Sequence, residues 1–235
     1  MPKAYVLLSG GLDSTVVLAM ANETHEGRVC AVSVNYGQRH TVELDRAQEI
    51  CRYYSNQHII RDLSSVIQKG GLTDDSLKIP EQSYEELPEG VSPTYVPFRN
   101  GTMLSLLAGM ASCDDEAEAI YCGVHSEDGD NWAYPDCTPE FIGGMANAIY
   151  VGTYHKIRLL APLQYMRKWE VVAAGARLRA PLELTWSCYE GREKQCGVCP
   201  TCRARKDAFT TAQIWDPTVY EVPHGKQVGR LGDKT

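Results

Sequence analysis

Ser9-Gly10-Gly11-Leu12-Asp13-Ser14-Thr15 follows directly on the apolar run Ala4-Tyr5-Val6-Leu7-Leu8, and Ser14 to Met20 continues as the start of an apolar helix. The pattern reads as strand, tight turn, helix. Two glycines let a backbone turn sharply and come close to an anion, and the unbonded N–H groups of a helix start point at whatever sits there. The hydroxyls of Ser9, Ser14 and Thr15 add donors. No Gly-Lys-Ser/Thr follows, so this is not a Walker A loop, and the Gly-x-Gly-x-x-Gly spacing of a dinucleotide fingerprint is absent. The plain alternative is a glycine-rich turn in which Asp13 merely caps the helix.

Outward from this loop, Val29-Cys30-Ala31-Val32-Ser33-Val34 is a second β-rich run, followed by Tyr36-Gly37-Gln38 and a helix carrying Leu44, Ala47, Ile50 and Cys51 at helical spacing. His58 to Ile60, Ala119 to Val124 and Ile157 to Leu160 are further strand candidates. Continuous apolar strands alternating with amphipathic helices predict an α/β fold with a parallel sheet covered on both faces. Between Ser64 and Pro97 the pattern breaks into Gly70-Gly71, Asp74-Asp75, Pro80, Glu85-Glu86 and Pro93, an acidic insertion that is either a lid or disordered. The expected organisation is a nucleotide-binding domain over 1–180 with the insertion at 64–97, a metal segment over 181–222 packed on it, and a loosely held tail over 223–235.

The chain has 235 residues, 43% hydrophobic, enough for one buried core. Lysine plus arginine number 23 against 30 aspartate plus glutamate, a net charge of −7, which argues against a nucleic-acid backbone as direct partner and favours small-molecule substrates. No run is long enough to span a membrane, and the N-terminal apolar run gives way to Ser-Gly-Gly too soon for a signal peptide, so a cytoplasmic protein is expected. Four of nine cysteines fall in Cys188-x7-Cys196-x2-Cys199-x2-Cys202. Four thiolates at this spacing fill a tetrahedral shell and leave no open position, the mark of structural zinc; an iron–sulfur cluster is the rival. Cys30, Cys51, Cys113 and Cys122 are expected to be buried apolar residues, whereas Cys137 is left open.

Ser-Gly-Gly-x-Asp-Ser directly after the first strand resembles the signature of the PP-loop ATP pyrophosphatases, which include NAD synthetase, the amination domain of GMP synthetase, tRNA-modifying lysidine and thiouridine enzymes, and the 7-cyano-7-deazaguanine synthases. The motif alone does not choose among them. Thr185-Trp186-Ser187-Cys188-Tyr189 leading into Cys196-Gly197-Val198-Cys199-Pro200-Thr201-Cys202-Arg203 resembles the C-terminal zinc segment of the last of these. Three blocks agree: Tyr36-Gly37-Gln38-Arg39-His40 with Glu43, Tyr95-Val96-Pro97 with Arg99-Asn100, and Tyr134-Pro135-Asp136-Cys137 with Pro139-Glu140-Phe141. The likeness runs from about residue 4 to about residue 221, in order.

The resemblance implies a Rossmann-like PP-loop fold. ATP would be held by Leu8, Ser9, Gly10, Gly11, Leu12, Asp13, Ser14 and Thr15, with Mg2+ on its phosphates. Asp13, Ser14, Arg99 and Lys168 would be catalytic. Tyr36, Gln38, Arg39, His40, Arg99, Asn100, Asp136 and Glu140 would bind 7-carboxy-7-deazaguanine, Asp136 and Glu140 facing the N–H donors of its guanine-like edge. Zinc would sit on Cys188, Cys196, Cys199 and Cys202 in a role separate from that of the loop. The implied reaction is ATP-dependent conversion of the carboxylate to a nitrile through adenylated carboxylate and amide, with free ammonia as nitrogen source and a homodimer as the assembly.

Two residues depart from the family's pattern: His125 stands where asparagine is usual, and Thr138 where arginine is usual. They leave open a reaction that stops at the amide. Other readings are another PP-loop amidase, a tRNA thiolase using Cys137, and a zinc-ribbon nucleic-acid module, which the net charge argues against.

Overall fold

The computed structural model describes residues 1–38, 41–67, 70–74, 90–129, 133–191 and 193–222. Five strands, β1 (Ala4–Leu7), β2 (Val29–Asn35), β3 (Gln57–Asp62), β4 (Ala119–Tyr121) and β5 (Arg158–Leu160), form one parallel sheet in the order β3-β2-β1-β4-β5. Ala4 pairs with Val29 on one side and with Ala119 on the other. The chain therefore starts in the middle, winds out through β2 and β3, and crosses back to add β4 and β5. The reversal of direction lies between β1 and β4, where an open parallel sheet leaves a crevice beyond its strand ends.

Side chains alternate along the central strands with the period of two that a pleated backbone imposes. Ala4, Val6 and Ala31 face one layer, made by α1 (Leu12–Thr24), α2 (Val42–Tyr54), α6 (Lys168–Arg177) and α7 (Pro200–Thr211), through Val16, Ile50, Val171 and Phe209. Tyr5, Cys30 and Val32 face the other, made by α3 (Arg99–Ser112) and α5 (Pro139–Gly152), through Leu104, Leu107, Ile142 and Ile149. One short turn of helix, α4 (Ser126–Gly129), follows β4. The sheet expected from sequence is thus present and covered on both faces.

Helix α7 leaves the cysteine segment and buries Ala208 and Phe209 in the same core as α1 and α6. The 64–97 insertion is anchored at both ends: Ile67 and Val96 pack with Val34, Tyr36 and Met103, and the Ser92 N–H donates to the Ala133 carbonyl at 2.9 Å. Its middle, 75–89, lies outside the described residues, as does the 223–235 tail. Cys30, Cys51, Cys122 and Cys137 are buried, but Cys113 is exposed, contrary to expectation; it caps the C-terminus of α3 after the helix's last apolar contact, Ala111.

Candidate active site

The loop after β1 is shaped by its glycines and serines. Gly10 has φ +85°, and a Cβ there would fall on the carbonyl oxygen of Glu43 in α2. Only glycine meets both demands. The Ser9 and Ser14 hydroxyls lie 3.0 Å apart, the Gly11 N–H donates to Ser9 Oγ at 3.2 Å, and Thr15 Oγ1 donates to the Gly11 carbonyl at 2.8 Å. Gly11 is the N-cap of α1, and no side chain caps the helix. Its first-turn N–H groups and the positive end of its dipole are thus available to an anion. From β4, Gly123 completes the seat: a Cβ there would meet Ser14 N at 2.9 Å, so no larger residue lets the strand end approach the loop this closely.

Asp13 projects from the first turn of α1 toward α6. Lys168 Nζ donates to its Oδ2 at 2.5 Å and lies 3.4 Å from His125 Nε2, which is itself 3.9 Å from the same carboxylate oxygen. Burial by itself would raise the Asp13 carboxyl, but Lys168, then His125, outweigh it and hold it below the ordinary carboxylate range. The carboxylate stays ionised. Its other oxygen, Oδ1, is buried with no hydrogen-bond partner among the described residues.

Arg99 opens α3. Its guanidinium donates to Tyr36 Oη at 3.2 Å and stacks over the Tyr36 ring at 5.2 Å. Burial opposes the charge, but the Tyr36 hydroxyl, which accepts its hydrogen bond, and the Asp136 carboxylate outweigh it and fix the arginine as a cation. Burial likewise raises Tyr36, which stays a neutral phenol. The loop, Asp13, Lys168, Tyr36 and Arg99 all border one cavity of about 870 Å³, which Gln38, Asn100, His125 and Cys137 also line.

Other expected site residues fall differently. Asp136 is 3% exposed, off the cavity wall, with its Oδ2 accepting the Asn100 N–H at 2.9 Å, so it caps α3. Glu140 lies exposed in the first turn of α5 and does not border the cavity. Sequence shows that a carboxylate is present, but not which amide lies opposite it. Arg39 and His40 lie outside the described residues. Thr138 is the N-cap of α5, its hydroxyl accepting the Phe141 N–H at 3.3 Å, which gives this departure from the family pattern a local structural use.

The four cysteines of the C-terminal segment come together with all their sulfurs within 4.8 Å of one another, buried, as a set that can hold a metal ion. Backbone N–H groups of Glu190 and Cys196 donate to Cys188 Sγ, and those of Val198 and Cys199 to Cys196 Sγ, at 3.3–3.4 Å. Such donors suit thiolates carrying charge.

This segment meets the loop directly. The Trp186 N–H donates to the Gly10 carbonyl at 2.9 Å, Thr201 Oγ1 donates to the Ser187 carbonyl at 2.6 Å, and Gln195 ties the backbone of Ser187 to that of Thr185. Arg205, missed by sequence reasoning, lies fully buried beneath this stretch. Its signal was available: Cys202, Arg205 and Phe209 share one helical stripe, and an arginine on a buried stripe demands partners.

A Ser-Gly-Gly-x-Asp-Ser loop closing the first strand of a parallel sheet, at the point where strand order reverses, defines a PP-loop enzyme that uses ATP. Within that class, the chain belongs to the family described as queuosine biosynthesis protein QueC, whose model matches residues 3–213. A 7-cyano-7-deazaguanine synthase of Pseudoalteromonas atlantica is 42% identical over 223 residues, covering 93% of this chain and 99% of the relative. One from Thermoplasma acidophilum is 41% identical over 225 residues, covering 93% and 92%. A U34-tRNA thiolase from Methanococcus maripaludis, solved with its [4Fe-4S] cluster, is 15% identical with TM-score 0.49, over 90% of this chain and 68% of that one.

Proposed function

We propose that this chain is a ligase that converts 7-carboxy-7-deazaguanine and ammonia into 7-cyano-7-deazaguanine with two ATP; the product is the one that the names of its relatives print. The observation that carries the reading is one cavity bordered by the uncapped start of α1, the Asp13–Lys168 pair and the buried cation Arg99. A volume of about 870 Å³ suits two small-molecule substrates side by side.

The pyrophosphate of ATP would lie on the Ser9–Ser14 loop, where the first-turn N–H groups and the Ser9, Ser14 and Thr15 hydroxyls donate to it. The substrate carboxylate attacks the α-phosphorus, pyrophosphate leaves, and an acyl adenylate forms. Ammonia displaces AMP to give the amide. The amide oxygen attacks a second ATP, pyrophosphate leaves again, and loss of AMP and of both N–H protons leaves the nitrile. Adenylation is needed because a carboxylate or amide oxygen is a poor leaving group and AMP a good one. Lys168, held by Asp13, offsets charge on the departing pyrophosphate, and Arg99 orients the carboxylate. Mg2+ would be held by Asp13, whose buried and unpartnered Oδ1 suits a hard cation, and would supply charge neutralisation on the phosphates.

Zinc is the metal we assign to Cys188, Cys196, Cys199 and Cys202. Zn–S bonds of about 2.3 Å place tetrahedral sulfurs about 3.8 Å apart, and Cys196 Sγ and Cys202 Sγ lie 3.9 Å apart. A cube of four irons taking one thiolate each spreads its ligands more widely. Cytoplasmic location fits thiolates kept reduced and ATP as substrate, and among the described residues no helix is long and apolar enough to cross a membrane. We expect a homodimer.

We favour the nitrile over the amide as end point, because Thr138 caps α5 and His125 borders the Asp13–Lys168 pair, so neither removes a group from the Arg99 wall. To test the reaction, the substrate carboxylate is labelled with heavy oxygen and followed by mass spectrometry in the presence of ATP and ammonia. Two labelled AMP per nitrile are expected, with pyrophosphate as co-product. One labelled AMP and a retained labelled amide would show the reaction stopping halfway, and ADP with labelled phosphate would overturn the loop's assignment.

A further inference from the structure

We propose that Arg205 is a positioning residue for ATP, acting through Thr185–Ser187 on the phosphate loop; this rests on the reading that the loop binds ATP. The guanidinium is 0% exposed. Nη1 donates to Thr185 Oγ1 at 2.6 Å and to Ser187 Oγ at 3.2 Å, Nη2 donates to the Leu182 carbonyl at 3.0 Å, and Nε faces Asp216 Oδ1 at 3.4 Å. The plane of the group lies over Phe209 at 5.1 Å. A fork of this kind holds several acceptors in fixed directions, which a single ammonium cannot do.

Those acceptors bracket Trp186. Residues 185–187 form no helix or strand, so nothing regular fixes the direction of the Trp186 N–H. Yet that N–H is what holds the Gly10 carbonyl, and the Trp186 carbonyl lies 3.5 Å from where a side chain on Gly11 would begin. The loop is thus clamped from outside the α1 and β1 elements that carry it, and Arg205 sets the clamp. Three residues earlier on the same helix, Cys202 belongs to the metal set, so α7 ties the metal segment to the clamp. A guanidinium placed merely for stability would leave affinity for ATP and for the second substrate equally affected. The geometry assigns it to ATP, because the stretch that its fork brackets bonds Gly10 of the phosphate loop, while neither Arg205 nor Thr185 itself borders the cavity.

The test uses the full-length, metal-loaded protein and the variant Arg205→Lys, which keeps the charge opposite Asp216 but cannot serve Leu182, Thr185 and Ser187 together. Binding of a non-hydrolysable ATP analogue and of 7-carboxy-7-deazaguanine is measured separately by calorimetry, alongside metal content and hydrogen exchange. The expected result is about tenfold weaker binding of the analogue, the equivalent of about 1.4 kcal/mol, with binding of the deazaguanine within twofold. Exchange should accelerate together in residues 184–188 and 8–15. Unchanged analogue affinity in folded, metal-loaded Arg205→Lys overturns the proposal, as does an equal loss for both ligands. Should Arg205→Lys not fold, Thr185→Val removes one arm of the fork at a residue off the cavity wall, without stranding a buried charge. A smaller shift for the analogue alone is then expected, and none refutes it. A wild-type protein that binds no ATP analogue would instead refute the reading of the loop itself.

Discussion

Replacing Gly10 with alanine tests the loop where its geometry is most exacting. Two costs add. A left-handed φ of +85° costs an L-residue roughly 1–2 kcal/mol. The new methyl would also overlap the Glu43 carbonyl oxygen and stand 3.0 Å from Ala47 N, both backbone atoms of α2 that cannot rotate away. Overpacking of this kind costs roughly 1–3 kcal/mol. Together they come to roughly 2–5 kcal/mol, and for a chain of this length that lowers the unfolding midpoint by roughly 5–20 °C. The control is Gly11→Ala, whose φ is not left-handed and whose Cβ meets only the Ser9 hydroxyl at 3.2 Å and the Trp186 carbonyl at 3.5 Å. It should unfold within a few degrees of wild type while losing ATP–pyrophosphate exchange, because its methyl stands in the phosphate seat. Thermal scans at fixed metal and protein concentration, paired with the exchange assay, separate the two. A Gly10→Ala protein that melts with wild type would refute the account of how this loop is seated against α2.

Lys168→Met leaves the half-buried Asp13 carboxylate without its main partner, at a cost on the order of 1–3 kcal/mol near neutrality, between that of exposed and of buried pairs. In the wild type the Asp13 carboxyl is lowered, so its contribution is present above about pH 4 and fades as acid titrates the carboxylate. The gap in stability between wild type and variant should therefore narrow below that pH, and a gap independent of pH between 7 and 3 would sink the assignment. For the metal site, purified protein should carry about one zinc per chain, and Cys199→Ser should lose metal, stability and activity together, since a closed thiolate shell couples binding to folding. Metal analysis showing fully active, metal-free protein would end that idea.

Much of this architecture is legible in the chain because it is written in local patterns. Five apolar runs separated by helical periods give a parallel α/β sheet, and Gly10-Gly11 after β1 marks the turn into α1. The order β3-β2-β1-β4-β5 is not so written, since strand pairing is settled by contacts far apart in sequence. The expected fourth strand ran to Val124 but stops at Tyr121, because Gly123 is drawn against Ser14 instead of pairing onward. That Asp136 accepts the Asn100 N–H at the start of α3 is not legible either, because a carboxylate in a motif block looks the same whatever lies opposite it. Arg205 was hidden by its surroundings: within Cys-Arg-Ala-Arg-Lys it reads as one of several surface cations, and only its phase relative to Cys202 and Phe209, shared with the buried Lys206, sets it apart from Arg203.

The net charge of −7 and an ATP site are reconciled by where the fold puts its helix starts. In a parallel sheet every strand feeds a helix whose N-terminus lies at the strand's carboxyl end, so α1, α3 and α6 all open toward the same crevice. Each start carries about half a positive charge. Arg99 and Lys168 are the first residues of α3 and α6, where the dipole disfavours a cation, and each is held there by neighbours: Tyr36 for Arg99, Asp13 and the Glu127 carboxylate at the start of α6 for Lys168. The Asp136 carboxylate on the Asn100 N–H offsets the α3 start in the same way. Binding an anion would relieve what these arrangements hold in place, so the site can accept a triphosphate through its local field although the chain carries a net charge of −7.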